Sequence, residues 1–225
     1  MRSKKYKQAL SQIDKNKSYS VPEAIKLAKQ ISIAKFDASV EFHARLGIDP
    51  KKGEQSVRGS VTLPHGTGKT KRVAVFCSDL KQAEAAGADI VGNDELIKQI
   101  KASAKIDFDV AVATTDAMKT LAPIAKVLGP RGLMPSPKAG TVIPPDKLAD
   151  TVKAIKAGKI SFKNDDSANI HQMIGKISWP DEKLKQNLEV FIQALKKTKP
   201  QSVKGEFILK AYLSASISPS IRLSL

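Results

Sequence analysis

The order of apolar and polar residues along the chain changes period several times, and each period predicts a different element. Residues 20–23, Ser-Val-Pro-Glu, have the spacing of a capping box, and the apolar positions after them recur at helical intervals as far as Ser32. From residue 40 to residue 48 apolar and polar side chains alternate, as in a strand with one buried face. A second alternating run, residues 57–63, follows a polar turn that contains Gly53. We therefore expect these two runs to pair with each other in an antiparallel hairpin.

The middle of the chain has a different pattern. Residues 72–76 and 109–113 are short, nearly continuous apolar runs, which are typical of strands buried on both faces. Because strands and helices alternate here, the pattern predicts a small α/β layer. The helical patterns in this part of the chain span residues 80–86, 94–102, 116–127 and 145–157.

The last segment returns to the style of the first. Alternating runs predict strands at residues 159–162, 169–178 and 206–216. Between the last two of these, residues 178–181 open the clearest helix, and a weakly amphipathic basic helix precedes Lys17 at the other end of the chain. The stripe expected to be buried on the clearest helix consists of Leu184, Leu188, Phe191, Ile192 and Leu195.

The net charge indicates the kind of partner. The chain carries 38 Lys and Arg against 22 Asp and Glu, a net charge of +16, and its pI is near 9.8. Such an excess favours a polyanion, with nucleic acid and an anionic membrane as the candidates. No run of about eighteen apolar residues exists to span a bilayer, and the basic N-terminus has no apolar stretch typical of a secretory signal. Cys77 is the single cysteine, which fits a reducing cytosol.

The positive charge is concentrated at the two ends of the chain. Residues 1–68 and 158–225 together carry 24 Lys and Arg against 12 Asp and Glu, a net charge of +12, whereas residues 69–157 carry 14 against 10, a net charge of +4. If the two outer segments fold together, they form the principal anion-binding body.

Residues 128–142 form the most unusual stretch of the chain. Three prolines and three glycines in fifteen residues exclude a helix or an interior strand. Leu133 and Met134 lie in the middle, with Arg131 and Lys138 on either side. We expect a shaped loop that is docked by the apolar pair and presents the cations outward, although composition alone favours an ordinary surface connection.

This stretch also carries a family resemblance. Residues 129–142, Gly-Pro-Arg-Gly-Leu-Met-Pro-Ser-Pro-Lys-Ala-Gly-Thr-Val, resemble the signature of the L-one family of bacterial large-subunit ribosomal proteins, which form the mobile stalk beside the tRNA exit site. The resemblance covers nearly the whole chain. Further segments that match the family in order and spacing are residues 34–37, 46–50, 58–69, 107–114 and 157–162.

The resemblance implies a fold and a function. The fold would combine α+β and α/β classes in two domains: a split α+β domain of residues 1–68 and 158–225, and an inserted Rossmann-like α/β domain of residues 69–157. The split domain would bind large-subunit rRNA, and the inserted domain would reach exit-site tRNA and assist the release of deacylated tRNA. The protein would also bind its own mRNA and repress its translation. It would be cytoplasmic, would lie on the ribosome among other ribosomal components, and would have no cofactor, membrane partner or small-molecule substrate.

The family's RNA contacts can be carried over to matching positions. Lys35 and Phe36 match a lysine–phenylalanine pair that contacts rRNA, although Phe36 could also be a core residue. A second contact matches residues 162–167, where Asp166 stands in place of a residue that is commonly basic. The tail matches a Thr-Met-Gly turn at the centre of the contact, with the glycine lost and Pro219 stiffening the turn. Besides Lys35 and Phe36, the resemblance assigns rRNA binding to Ser161, Lys163, Ser214, Ser216, Ile217 and Ser218. Arg131 and Lys138 would face tRNA.

Residues 65–70, His-Gly-Thr-Gly-Lys-Thr, suggest a phosphate-binding loop, but the pattern does not hold. The motif needs a glycine five positions before Gly68, where this chain has Leu63, and a strand rather than a helix is expected from Val73. Glycines here suit a hinge better. We expect connections near residues 67–70 and 156–159 to run side by side, with Gly66, Gly68 and Gly158 as the hinge glycines.

The remaining candidate chemistry is weak. His43, His65 and His171 lack the spacing of metal ligands, and one cysteine cannot complete a zinc site, so we expect no metal. We expect the three histidines to be structural or to face RNA. Acid pairs at residues 165–166 and at 107 and 109 are expected to be caps or solvated charges. We therefore predict a non-enzymatic RNA-binding protein. The rivals are a free RNA-binding regulator or chaperone and a nucleotide-dependent enzyme.

Overall fold

The structure is a computed structural model that describes residues 3–14, 16–77, 79, 83–84, 86–92, 94–103 and 105–225. The chain divides into two compact units. The first unit contains residues 1–68 and 161–225, and the second contains residues 69–160. The second boundary between the units therefore follows residue 160, whereas the boundary expected from the sequence follows residue 157.

Helices and strands are mixed throughout, as the sequence predicted. The helices are α1 (Lys4–Ser11), α2 (Val21–Gln30), α3 (Asp94–Ser103), α4 (Ala125–Leu128), α5 (Leu148–Lys156) and α6 (Asp181–Lys197). The strands are β1 (Ser39–Leu46), β2 (Arg58–Thr62), β3 (Val73–Phe76), β4 (Ile90–Val91), β5 (Val110–Thr114), β6 (Val142–Ile143), β7 (Lys159–Lys163), β8 (Asn169–Lys176), β9 (Ile208–Ala215) and β10 (Ile221–Arg222).

The first unit is built on a four-stranded antiparallel sheet in the order β10-β9-β1-β8. Helices α2 and α6 contact each other and this sheet. The ring of Phe42 on β1 meets the ring of Phe191 on α6 edge to face, with centroids 5.6 Å apart. The predicted apolar stripe of α6 is buried, and the capping box of α2 is present, with Glu23 accepting from the backbone N–H of Ser20 at 3.1 Å. Both sequence predictions are confirmed.

The predicted hairpin between residues 40–48 and 57–63 is wrong. β1 pairs with β8 on one side and with β9 on the other, so both of its edges are occupied. β2 instead pairs with β7 in a separate two-stranded sheet. Alternation in a single sequence shows which face of a strand is buried, but it does not show which strand lies beside it.

The second unit is built on a parallel sheet in the order β4-β3-β5-β6. Apolar clusters cover both faces. Ala74 and Phe76 belong to one cluster, whereas Val73 and Val75 on the same strand belong to the other. The prediction that residues 72–76 and 109–113 are strands buried on both faces is confirmed, since all four residues of β3 are buried.

One helix predicted in the second unit is interrupted. Residues 116–127 form a 3₁₀ turn at Asp116–Met118, another at Ala122–Ile124, and only then the short α4. Pro123 lacks an N–H and cannot continue an α-helical hydrogen-bond ladder, which explains the break. The helix predicted at residues 80–86 falls mostly outside the described residues.

Candidate nucleic-acid interface

Two segments far apart in sequence come together in the first unit. The backbone N–H of Ser216 donates to the carbonyl of Ser39 at 3.0 Å, and the backbone N–H of Ile33 donates to Ser218 Oγ at 3.3 Å. These bonds hold the loop after α2 against the turn after β9. We call residues 31–36 together with residues 215–218 the Phe36–Ile217 surface.

This surface exposes two large apolar side chains. Phe36 is 60% exposed and Ile217 is 64% exposed, whereas Phe42, Phe162 and Phe191 of the same unit are buried and pack edge to face. Lys35 beside Phe36 is also exposed. The alternative that Phe36 is a core residue is therefore wrong. An exposed ring next to a cation is an arrangement suited to stacking on an unpaired base.

The turn after β9 has an unusual backbone. Ile217 has φ of 58°, in the left-handed region that a β-branched residue rarely adopts. Ser216 and Ser218 on either side are half-buried, and Pro219 is buried. The hydroxyl of Ser216 donates to the carbonyl of Ser39 at the start of β1, and that of Ser218 accepts from the backbone N–H of Ile33. Five of the predicted contacts, namely Lys35, Phe36, Ser216, Ile217 and Ser218, thus belong to one surface. Such strain is typical of functional sites.

Two other predicted contacts lie elsewhere in the first unit. Ser161 and Lys163 are exposed on the same face of β7, with the buried Phe162 between them. β7 belongs to the two-stranded sheet. Beyond it, Asp165 closes the turn before β8 by accepting from the backbone N–H groups of Ser167 at 2.9 Å and Asn169 at 2.6 Å. This confirms the expectation that Asp165 is a capping carboxylate.

A pair of histidines was missed by sequence reasoning. His43 on β1 and His171 on β8 lie directly opposite each other, with their Nδ1 atoms 2.8 Å apart. Ser214, another predicted contact, lies 3.2 Å by its Oγ from Nε2 of His43. Alternation placed both histidines on the polar sides of their strands. However, the register of two strands 128 residues apart could not be obtained from one sequence.

Both carboxylates near the pair shape its electrostatics. Burial lowers the pKa of His43, and the neighbouring His171 lowers it further, while Glu41 acts in the opposite direction. Glu41 Oε2 lies 3.7 Å from Nε2 of His43, and Asp165 Oδ2 lies 3.6 Å from Nε2 of His171. Burial raises the pKa of Asp165, but hydrogen bonds from Asn169, Ser167 and His171 outweigh it and hold that pKa below its ordinary value.

The histidines belong to the polar sheet face opposite the one on which Phe42 meets α6. Along β1 the apolar residues point to the core, and the alternate residues point the other way with higher exposure. On this face Arg45 is directly opposite Lys210 of β9. We define the outer sheet face by Glu41, His43, Arg45, Asn169, His171, Lys210, Tyr212 and Ser214.

The glycine- and proline-rich loop of the second unit is docked as expected. Leu133 and Met134 pack against a buried cluster, and Arg131 is exposed. Thr141 Oγ1 accepts from the backbone N–H of Ser136 at 2.8 Å, which closes the loop. Its docked conformation confirms the shaped-loop prediction over a loose connection. The backbone of Lys138 lies in a 3₁₀ turn, and its side chain is outside the described part of the structure.

The Gly-Lys-Thr segment contains glycines whose backbone conformation other residues rarely adopt. Gly66, Gly68 and Gly158 have φ values of 65°, 75° and 116°, which favour glycine. Nζ of Lys69 lies 2.9 Å from Oδ1 of Asp109. The hydrogen bond from Lys69 and another from the backbone of Arg72 hold the pKa of Asp109 below its ordinary value. A strand follows at Val73, as predicted, so this is not a nucleotide-binding loop.

Comparison with known proteins decides the family. The sequence profile of the Ribosomal protein L1p/L10e family matches residues 25–219. The chain is 49% identical over 224 residues to the large ribosomal subunit protein uL1 of Kosmotoga olearia, covering 99% of this chain and 96% of that protein. The chain belongs to the ribosomal protein L1p/L10e family. It is also 51% identical over 221 residues to uL1 of Mycolicibacterium vanbaalenii, covering 97% and 93% of the two chains, and 45% identical over 224 residues to uL1 of Thermus thermophilus, covering 98% and 96%.

Membership in the L1p/L10e family confirms the resemblance found in the sequence. Because this is a family of ribosomal proteins, it also confirms the prediction that the chain is not an enzyme. Among the described residues, no group of three or more His, Cys, Asp or Glu side chains is arranged to hold a metal ion. No described helix is long and apolar enough to cross a bilayer. The individual RNA contacts remain predictions.

Proposed function

We propose that this protein is a constituent of the large ribosomal subunit in the cytoplasm, where the first unit binds large-subunit rRNA at the mobile stalk. The observation that carries this is the Phe36–Ile217 surface, in which two segments predicted to contact rRNA are hydrogen-bonded to each other and expose apolar side chains. The family of the chain and the names of its relatives support the ribosomal setting.

The chemistry of the first unit fits an RNA ligand. Its residues include 23 Lys and Arg against 12 Asp and Glu, so phosphate neutralisation with release of counterions favours association. Phe36 stacks on an unpaired base, and Lys35 contacts a phosphate. The hydroxyls of Ser214, Ser216 and Ser218 face ribose or phosphate oxygens, which they can contact as donors or acceptors. Ser161 and Lys163 add a second contact from β7.

The two units have different roles. The first unit, a split α+β domain, anchors the protein, and the second unit is an inserted α/β domain that approaches exit-site tRNA through Arg131 and Lys138. The crossing segments form a hinge at Gly66, Gly68 and Gly158. Lys71 Nζ donates to the carbonyl of Lys159 at 3.1 Å, which supports the expectation that the crossing segments run together. Movement of the inserted domain assists release of deacylated tRNA.

The same rRNA-binding surface also represses translation of the protein's own mRNA, by binding a site in that mRNA that imitates the ribosomal one. Repression is measured by translating a reporter that carries the protein's own leader, with and without added protein.

Sedimentation tests the ribosomal role against that of a free regulator or chaperone. Tagged protein at its natural level is expected to travel with large subunits and to remain there after a wash in moderate salt. The control is a Phe36→Ala variant with Lys35→Ala, which should shift toward the free fraction. If the unaltered protein remains at the top of the gradient, it is not a constituent of the subunit.

A further inference from the structure

We infer that the outer sheet face contains a phosphate-binding subsite whose charge is set by one added proton on the hydrogen-bonded pair of His43 and His171. The inference rests on the proposed function, since the phosphate belongs to bound RNA. It adds that RNA binding takes up a proton, so that the affinity rises as the pH falls.

The first observation is an unbalanced pair of cations. Arg45 and Lys210 lie directly opposite each other on neighbouring strands, a placement in which like charges repel. Neither cation takes part in an ion pair among the described residues. Such a pair is stabilised when an anion lies between the two side chains.

The second observation is a cavity between these cations and the histidines. It measures about 260 Å³, enough for a phosphate group. Its polar lining consists of His43, Arg45, Asn169, His171, Lys210 and Tyr212. Among the described residues that line it there is no carboxylate, so its walls present donors and positive charge to an entering group.

The third observation is the contact between the two imidazoles. Nδ1 atoms 2.8 Å apart require one of them to carry a hydrogen and the other to accept it. We assign the hydrogen to Nδ1 of His43, because its Nε2 can then accept from the hydroxyl of Ser214, and the Nε2–H of His171 then points toward Asp165. The pair can take one further proton, on Nε2 of His43 beside Glu41, without losing the Nδ1 contact. A second extra proton would break that contact.

The surrounding charges explain why an anion would decide the protonation state. Glu41 favours an added proton on His43, since its Oε2 lies 3.7 Å from Nε2 of that ring. Burial of His43 opposes it, and the cations Arg45 and Lys210, which line the same cavity, oppose it by charge repulsion. Tyr212 lies opposite His43 on β9. A phosphate between Arg45 and Lys210 neutralises the opposing cations and adds a negative charge beside the imidazoles. Linkage then requires that phosphate binding and protonation strengthen each other.

The chain offers a matched control, because it has only three histidines. His65 contacts Gln186 rather than the outer sheet face, with its Nε2 2.6 Å from the amide oxygen. His65→Gln therefore removes an imidazole without altering the subsite. His171→Gln and His43→Gln each remove one half of the pair, and Lys210→Gln removes one cation.

The experiment measures the dissociation constant of the full chain for a transcript of the stalk region of large-subunit rRNA, at pH 8 and pH 6 and constant ionic strength. Uptake of part of one proton should tighten binding by the unaltered protein and by His65→Gln by roughly tenfold between these pH values. For His171→Gln, His43→Gln and Lys210→Gln, the dissociation constant should change by about twofold or less between the same two pH values. In parallel, NMR of the ring nitrogens should show the pair titrating at higher pH when RNA is bound.

The possible failures are distinguishable. If the unaltered protein binds RNA at pH 8 but its pH dependence equals that of His171→Gln, the proton-linked subsite is wrong while the proposed function stands. An unchanged titration of the ring nitrogens on RNA binding would also overturn the subsite. If there is no RNA binding at either pH, both proposals fall.

Discussion

The two four-stranded sheets of this protein differ in how many of their faces are covered. The antiparallel sheet of the first unit buries one face under α2 and α6 and leaves the other to polar and cationic residues. The parallel sheet of the second unit is covered by apolar clusters on both faces. A sheet with a free polar face can serve as a binding platform. A sheet with two covered faces can present chemistry only through its loops, as with Arg131.

The largest expected effects come from single substitutions at successive positions of one strand, because these test directly which faces of each sheet are covered. Ala74→Asn and Val75→Asn each place an amide in a different apolar cluster, so each should lower the free energy of unfolding by about 3 kcal/mol. On β1, only a substitution at the buried position should lower the free energy of unfolding. Ala44→Asn should have a similar effect, but Arg45→Asn should change the free energy by about 0.5 kcal/mol or less.

The measurement for this series is urea unfolding of the full chain followed by circular dichroism. If Arg45→Asn destabilises the protein as much as Ala44→Asn, the outer sheet face is covered, and the contrast between the two sheets is wrong.

A smaller effect is expected at the Phe36–Ile217 surface, where the loss should appear in RNA affinity rather than in stability. Phe36→Ala and Ser216→Val should each weaken rRNA binding by roughly 1–3 kcal/mol, the range for losing a stacked base or a well-made polar contact. Phe36→Trp keeps an aromatic face and serves as the matched control. Filter binding gives the affinities, and unchanged values for both loss variants would remove this surface from the RNA contact.

The turn after β9 allows a test with a smaller expected effect, in which stability and RNA affinity should change in opposite directions. Asparagine tolerates the left-handed conformation that Ile217 adopts, so Ile217→Asn should raise the free energy of unfolding by about 1 kcal/mol. The same change removes an exposed apolar contact and should reduce RNA affinity. Thermal unfolding and RNA binding on the same sample check both signs. A variant that is both less stable and equally good at binding RNA would contradict the role of the turn.

The smallest effect concerns acid stability without RNA. Because the pKa of His43 is lowered in the folded state, the unfolded chain binds more protons at mildly acidic pH. The stabilising contribution is present above the ordinary histidine pKa of about 6.5 and is lost as the pH falls below it. Unfolding between pH 7.5 and pH 5.5 should therefore depend more steeply on pH in the unaltered protein than in His43→Gln. Equal slopes would show that His43 titrates normally.

Local patterns in the sequence predicted local structure well. The Ser20–Glu23 capping box, the apolar stripe of α6 and the doubly buried β3 and β5 depend on neighbouring residues, and all are confirmed. The same patterns said little about partners far away in the chain. They gave β1 the wrong neighbour and could not set His43 against His171, because strand pairing depends on the fold as a whole.

Asn187 shows another limit. It lies within the apolar stripe of α6 but is fully buried and polar, and it donates to the carbonyls of Gly66 and Ile174 at 2.8 Å each. Its amide oxygen also accepts from the backbone N–H of His65 at 3.1 Å. A helical period marks which side of a helix is buried, but an occasional polar residue on that side is recognisable only when its backbone partners are known.

The central claim is that the first unit binds rRNA through the Phe36–Ile217 surface. The most direct test is photo-crosslinking in intact ribosomes, with a photoreactive phenylalanine at position 36 and, as a comparison, at position 131 in the second unit. The account predicts that position 36 crosslinks to stalk nucleotides of large-subunit rRNA, and that position 131 crosslinks to tRNA when the exit site is occupied. If position 36 gives no rRNA crosslink in ribosomes that contain the protein, the claim is contradicted.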